Sequence, residues 1–391
     1  MGYDGRVMIP PLADMRILDL TSGVAGPWCS KLLAGYGAGV IKIERPLLGD
    51  ESRGHGRFPG GVPHRERSAL FLWLNTGKRS VTLDVATATG RALALRLAAR
   101  CDAVVLDGTP AELARLRLTP EVFAAAKPQL VVTCVSAFGQ SGPYADWRAT
   151  NLVAYAAGGQ HYMTGDADRE PLQNGGYQAE YQAGAHAFGA TLAALWHAGE
   201  TGEGQAVEVA GMEAQASILE LYLPDYAYRR SQALTGRRGN FASAVAGIYP
   251  CADGHIGIHA MPKNWPRLLE AMGAQHLAAD ERFADNRARL RHDDELSAEV
   301  FAWAEGVTKR EAYERAGAAR APISPVNTVA DVLASEHLRA RGFFHEVAHP
   351  EAGAPPPGRA PLLGEHTAEV LGGELGIGAR ELVRLAAAGV V

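Results

Sequence analysis

Apolar and polar positions near the amino end fall into blocks that fit one folding unit. From Met15 to Glu44 a buried-strand pattern, Arg16 Ile17 Leu18 Asp19 Leu20, turns through Thr21 Ser22 Gly23 Val24 Ala25 Gly26 Pro27. A small-residue helix, Ser30 to Tyr36, follows, and a second strand, Val40 Ile41 Lys42 Ile43, closes at Glu44. Strand, glycine turn, helix and strand within about thirty residues is the size of one βαβ unit, and predicts a parallel sheet whose turn amides face a phosphate-bearing, nucleotide-like ligand. Gly23 and Gly26 lack the third glycine of a dinucleotide fingerprint, so spacing alone fits a generic α/β turn equally well.

The pattern continues in the same style. Phe71 Leu72 Trp73 Leu74 Asn75 and Ser80 Val81 Thr82 Leu83 Asp84 read as strand material around a turn at Thr76 Gly77 Lys78. An amphipathic helix from Thr89 to Arg100, a strand Asp102 to Leu106, a helix near Ala111 to Leu116 and a strand Leu130 to Val135 then alternate. This alternation predicts an α/β fold with a doubly wound, Rossmann-like parallel sheet. From Thr150 small residues and glycine dominate, ending in an alanine-rich helix through Trp196. The polar, arginine-rich stretch from Pro224 to Asn240 (Arg229, Arg230, Arg237, Arg238) reads as a crossing segment. Strands at Ala246 to Pro250 and His255 to Ala260, with helices to about Leu333, predict a smaller α+β domain. The expected boundaries are a large domain over 1–223, a crossing linker over 224–241, a small domain over 242–345, a Pro/Gly/Ala-rich linker over 346–360 and a return to the large domain over 361–391.

Composition narrows the class without naming a chemistry. A chain of 391 residues with 47% hydrophobic and 21% charged residues is long enough for two domains with a sizeable core. Its formal charge of -5 gives no electrostatic reason to expect nucleic acid. The four cysteines, Cys29, Cys101, Cys134 and Cys251, show no metal-ligand spacing, so buried free thiols and no metal are expected. With no hydrophobic segment ahead of the first strand and no apolar run of about 18 residues, the expected location is cytoplasmic, away from membranes.

The wording of these segments is more specific than their spacing. The run Ile17 to Pro27, then Leu33 to Glu44, Gly49 Asp50 and Arg53 resembles the opening of family III CoA transferases (CaiB/BaiF type), the group that includes formyl-CoA transferase and 2-methylacyl-CoA racemase. Further matches are Leu74 Asn75 with Gly77 Lys78 Arg79 Ser80, the Met163 Thr164 Gly165 turn, Thr201 to Gln205, Pro322 to Val326 and Leu363 to Thr367. The resemblance implies coenzyme A, as acyl-CoA substrate, for the large domain, and an interlocked homodimer. By position it implies CoA contacts from Val24, Ala25, Arg45, Leu83 and Asp84. Arg115 falls where the family places an arginine near the CoA phosphates, a suitable partner because guanidinium donates paired charge-assisted hydrogen bonds.

The resemblance also implies the chemistry: an active-site carboxylate attacks a thioester, forming first a mixed anhydride and then an enzyme-bound CoA thioester. Counting back from Leu192 Ala193 Ala194 Leu195 through Gly184, the carboxylate position is Glu180, where the family carries aspartate. Glutamate adds one methylene, and a displacement of about 1 Å can change a rate about a hundredfold. An acidic residue in the first turn of a helix also has a dipole explanation. Gly175 and Gly176 are expected to let backbone amides approach the thioester oxygen, and Tyr177, Gln178 and Gln182 to orient the carboxylate. Asp166, Asp168 and Glu170 read as a solvated turn, and a basic group facing the pocket, from Arg148 or from Arg237 and Arg238, would favour a dicarboxylate.

The racemase branch needs a histidine and an aspartate to move an α-proton. Here the histidine position is Thr150 and the aspartate position again Glu180, while nearby His161 reads as a structural hydrogen bonder. The expected function is therefore acyl-CoA:carboxylate CoA transfer with Glu180 as nucleophile. The alternatives are a racemase-type isomerase and a catalytically silent CoA-binding subunit paired with a homologue.

Overall fold

The structure, a computed structural model, describes residues 9–165, 168–220, 222–229, 243–346, 349–351 and 359–391. The Arg237 and Arg238 pair, Arg230, Asp166 and most of the 346–360 linker lie outside the described residues. By internal contacts the chain divides into two units: 1–160 with 174–220 and 346–391, and 161–173 with 221–345.

The first unit is built on six strands, β1 (Arg16–Asp19), β2 (Gly39–Glu44), β3 (Arg79–Thr82), β4 (Ala103–Asp107), β5 (Val131–Ser136) and β6 (Ala206–Ala210), in the order β3-β2-β1-β4-β5-β6. All neighbours are parallel. Its helices are α1 (Ala25–Gly35), α2 (Ala69–Leu74), α3 (Ala88–Ala98), α4 (Pro110–Leu116), α5 (Pro120–Ala126), α6 (Asn151–Ala157), α7 (Gln178–Thr201) and α8 (Gly211–Ala216). Alternate residues of each strand face opposite layers, as the two-residue period requires. Leu18, Ile41, Val81, Val104 and Val132 join one core with Leu93 and Leu97 of α3, whereas Ile17, Val40, Val105 and Val131 join another with Leu33 of α1 and Ala183 and Ala187 of α7. Because both faces are covered, these strands read in sequence as continuous apolar runs.

The run from Phe71 to Leu74, expected as strand, is instead helix α2, capped by the Ser68 hydroxyl, which accepts from the Phe71 amide at 3.2 Å. Phe71 and Leu74 are buried one helical turn apart while Trp73 between them is exposed, a helical period that so short an apolar run cannot display.

The second unit carries α9 (Tyr222–Arg229), so the first part of the stretch expected as a crossing linker is helical. Strands β7 (Val245–Cys251), β8 (Gly254–Ala260) and β9 (Ile323–Pro325) form an antiparallel three-stranded sheet. Helices α10 (Trp265–Met272), α11 (Asn286–Arg291), α12 (Asp293–Glu305), α13 (Lys309–Ala319), α14 (Val329–Ala334) and α15 (Glu336–Ala340) accompany it. Ile256, Ile258, Leu268, Phe283, Leu296 and Val300 fill its core.

The carboxyl end then rejoins the first unit through α16 (Thr367–Leu375) and α17 (Ala379–Ala387). Val370 and Leu371 enter the core beside Val81, and the Thr82 amide donates to the Thr367 hydroxyl at 2.9 Å. Cys29, Cys101 and Cys134 are buried free thiols, and Cys251 is a partly exposed one. Among the described residues no helix is long and apolar enough to cross a membrane.

Candidate active site

The sheet order reverses between β1 and β4, and in parallel sheets the crevice at such a reversal, outside the carboxyl ends of the strands, is where ligands bind. Register puts the strand ends along one edge: Asp19 pairs with Lys42 and Val105, Glu44 with Thr82, and Asp107 with Val135. The turn after β1 lies at the reversal itself.

That turn is held from below by a buried charged network. Asp19 accepts from the Thr21 amide at 3.0 Å, the Ser30 hydroxyl at 2.6 Å and the Lys78 ammonium at 3.0 Å. Lys42 donates to the Thr21 carbonyl at 2.8 Å and pairs with Asp50 at 2.7 Å. Burial opposes ionisation of Asp19, but Lys42, Lys78 and the Ser30 and Thr21 hydroxyls hold its carboxyl far below the usual range. Burial drives the Lys78 ammonium down to about 8, against the pull of Asp19.

The same network corrects the expectation that the turn amides face a phosphate at the first three of them. The amides of Thr21, Ser22 and Gly23 donate to the carboxylates of Asp19, Asp107 and Asp50 at 3.0, 2.7 and 3.2 Å. Three amides bound to acidic side chains make no anion nest. Asp107 is half-buried there, and its carboxyl is pushed up to about 7 by desolvation, with the Ser22 amide and Lys42 pulling the other way.

Glu180 stands at the third position of α7, the longest helix described. Helix α7 packs on α1 so closely that a Cβ on Gly184, one turn beyond Glu180, would lie 2.4 Å from the Ala25 carbonyl oxygen. This approach seats the amino-terminal part of α7 on the start of α1. Glu180 is half-buried, and among the described residues its carboxylate takes no hydrogen bond and no ion pair. Burial, then the negative charge of Glu51, raise its carboxyl to about 7.

Tyr177, the cap residue of α7, offers no side-chain hydrogen bond to the helix. Asn151, at the start of α6, supplies the missing acceptor: its Oδ1 takes the Ala179 amide at 2.9 Å and the Glu180 amide at 3.3 Å, while its Nδ2 donates to the Gly176 carbonyl at 3.2 Å. Among the described residues Tyr177, Gln178 and Gln182 make no hydrogen bond to the Glu180 carboxylate, so the orienting contact expected of them is not seen; Asn151 holds the Glu180 amide instead. Beside Glu180, the Tyr181 ring meets Trp28 edge-on at 5.1 Å, Trp28 stacks with Trp73 at 6.1 Å, and the Lys31 ammonium sits 3.6 Å above the Trp73 ring.

The remaining expected residues divide by exposure. Val24 is buried at the start of α1, with Ala25 partly exposed beside it. Leu83 is 1% exposed and belongs to the core, so only its backbone can meet a ligand. Asp84 turns back on the Ala86 amide at 3.0 Å. Arg45, just past β2, and Arg115, in the last turn of α4, are exposed cations on segments that leave the carboxyl edge of the sheet. Gly175 and Gly176 are exposed, Gly176 at φ +73°, and Thr150 is the exposed cap residue of α6. Arg148 is held by Glu112 at 2.6 Å, and Asp168 and Glu170 are exposed. His161 lies in the second unit, in the short turn His161–Met163. Among the described residues no group of acidic, histidine or cysteine side chains is placed to hold a metal.

Sequence reasoning missed Asn151, Glu51 and the Trp28–Trp73–Tyr181 group. None of them carries a local signal, since each acts across chain distance rather than within a motif.

Comparison with known proteins gives a consistent result. The model of CoA-transferase family III matches residues 12–374. A succinyl-CoA–D-citramalate CoA-transferase of Chloroflexus aurantiacus is 34% identical, over 97% of this chain and 98% of that protein. A succinyl-CoA–L-malate CoA-transferase beta subunit of the same organism is 31% identical, over 96% of each. The crystal structure of a CaiB/BaiF family protein from Brucella suis superposes with a TM-score of 0.80 at 30% identity, covering 93% of this chain and 99% of that one.

Proposed function

The chain belongs to CoA-transferase family III, and we propose that it transfers coenzyme A between an acyl-CoA and a carboxylic acid with Glu180 as the covalent carrier. The observation that carries this reading is the half-buried Glu180 carboxylate, raised to about 7 in the first turn of α7, beside the β1–α1 turn at the sheet reversal. A carboxylate of raised basicity is a stronger nucleophile and is still ionised in about half the molecules near neutrality.

The steps balance without a further reagent. Glu180 attacks the thioester carbonyl, CoA thiolate leaves, and a mixed anhydride remains. The thiolate attacks the glutamyl carbonyl of that anhydride and releases the donor acid, leaving a Glu180–CoA thioester. The acceptor carboxylate attacks this thioester and frees the thiolate, which then takes the acceptor acyl group and restores Glu180. Each acyl bond is exchanged for one of similar energy, so no ATP is required.

Arg45 and Arg115, exposed cations on the segments that follow β2 and β4, would receive the CoA phosphates, and the backbone at Val24, Ala25, Leu83 and Asp84 would line its path. Gly175, Gly176 and Thr150 would border the acyl group. Succinyl-CoA, named as donor for both relatives above, is the first donor to test. The working assembly is taken as a homodimer, with a heteromer as alternative because one of those relatives is a beta subunit.

The test is direct. The protein is incubated with succinyl-CoA and treated with borohydride, which reduces a glutamyl thioester to an alcohol, and the peptide holding Glu180 is weighed. A reduced Glu180 supports the carrier; an unmodified peptide with every member of an acyl-CoA panel removes it. Exchange of an α-proton with deuterated water in the absence of acceptor acid would instead favour the racemase-type reading.

A further inference from the structure

Glu180 occupies the third position of its helix, where a glutamate ordinarily folds back to the amide of the cap residue and closes a capping box. Helix α4 shows this arrangement in the same chain: Glu112, at its third position, returns to the Thr109 amide at 3.1 Å while the Thr109 hydroxyl accepts from the Glu112 amide. Helix α13 repeats it with Glu311 and Thr308. Helix α7 does not. Its cap residue, Tyr177, has no acceptor in reach, yet the Glu180 carboxylate stays off the helix end.

The acceptor that a cap side chain would supply comes instead from Asn151, which is 9% exposed and reaches α7 from α6. Its Oδ1 occupies the Ala179 and Glu180 amides, and its Nδ2 fastens the Gly176 carbonyl in the turn that precedes them. We propose that Asn151 is a positioning residue for the transfer reaction: by bonding the Ala179 and Glu180 amides and the Gly176 carbonyl from outside the helix, it fixes the turn that carries Glu180 and takes up the amides nearest its carboxylate, leaving that carboxylate available for covalent chemistry. The inference rests on Glu180 as the carrier proposed above.

Without Asn151 the freed amides compete for the carboxylate, since a buried N–H left unpaired is costly. A carboxylate bound by amides at a helix amino end is stabilised in its ionised form and becomes a poorer nucleophile. Other ionisable groups around Glu180 would be unchanged by substitution at 151. Glu51 acts from the turn after β2, Tyr181 from α7 itself, α1 carries Lys31 over Trp73, and α8 carries Glu213.

Two variants separate this role from simple support. Asn151→Ala removes the acceptor; Asn151→Asp keeps an acceptor and loses the donor to Gly176. The rate of carbodiimide labelling at Glu180 is followed against pH by peptide mass, on the full chain, together with the rate of Glu180 thioester formation from succinyl-CoA. Asn151→Ala is expected to move the titration of Glu180 down by about one unit. It should also slow thioester formation about tenfold or more, with little change in KM for the acyl-CoA. Asn151→Asp is expected to leave the titration where it was or move it upward, because its carboxylate adds negative charge.

An unshifted midpoint in Asn151→Ala with unchanged far-UV dichroism overturns the proposal. If that variant does not fold, a downward shift in Asn151→Asp overturns it equally. If Glu180 is not the carrier, no variant traps a thioester, yet the labelling curves still report whether Asn151 governs the carboxylate.

Discussion

Gly184 and Ala25 approach so closely that the glycine has no room for a side chain: a Cβ would stand 2.4 Å from the Ala25 carbonyl oxygen and about 3 Å from Trp28. The contact locks the helix bearing Glu180 onto the helix that starts at the sheet reversal. Gly184→Ala is therefore expected to destabilise the protein by about 1–3 kcal/mol in urea unfolding, as over-packing does, and to reduce transfer activity by more than that loss explains. Wild-type stability and rate in the variant would show that the two helices can separate without consequence.

The acid limb of the pH–rate profile follows Glu180. Its carboxyl is raised to about 7 by burial and by Glu51, so transfer should rise as pH increases through about 7 and the nucleophile ionises. Glu51→Gln removes the like charge and is expected to shift that limb to lower pH by about half a unit. A profile flat between pH 5 and about 8 under conditions where acylation limits turnover would contradict the assignment.

The same group sets a stability trend of opposite sense. A carboxyl whose folded pKa lies above its unfolded value of 4.5 binds more protons folded than unfolded, so its contribution is fully present below 4.5 and is lost as pH rises through about 7. Glu180→Gln, which keeps the shape and removes the charge, should match wild type near pH 5. By pH 8 it should be more stable by on the order of 2 kcal/mol. Denaturant midpoints at the two pH values read this difference, and equal midpoints for both proteins at pH 8 would place the carboxylate in a solvated setting.

Lys78 has 3% exposure and donates to Asp19 at 3.0 Å, the Pro27 carbonyl at 2.9 Å and Asn75 at 2.8 Å. Lys78→Met leaves part of a buried acidic cluster without its counter-charge and is expected to cost about 3–5 kcal/mol. The double variant Asp19→Asn, Lys78→Met should recover part of the loss, because both charges are then absent. Additive losses in urea melts would mean the pair is not coupled.

Nucleophile length is tested by Glu180→Asp. If the pocket tolerates the shorter carboxylate, borohydride trapping continues at the new aspartate at a rate within about a hundredfold of wild type. Complete loss of trapping with unchanged binding of CoA, measured calorimetrically, would show a site built around the longer side chain.

Strands β1, β2, β4 and β5 were legible because buried parallel strands are written as unbroken apolar runs, and Glu180 was reachable by counting back along a helix with an evident small-residue pattern. Helix α2 was not, since six apolar residues fit either period. The sequence by itself thus determined the α/β layering, the family and the identity of the candidate carboxylate, all of which are encoded by neighbours in the chain. Only the tertiary structure decided what the β1–α1 turn does with its amides and what holds Glu180. The partners of the Ser22 and Gly23 amides come from 85 and 27 residues away, and the acceptor of the Glu180 amide from 29. The carboxyl at 180 is raised by burial and by Glu51, conditions set when separate segments of the chain close around it. Propensity and periodicity are properties of adjacent residues; desolvation and long-range hydrogen bonds are created only by packing.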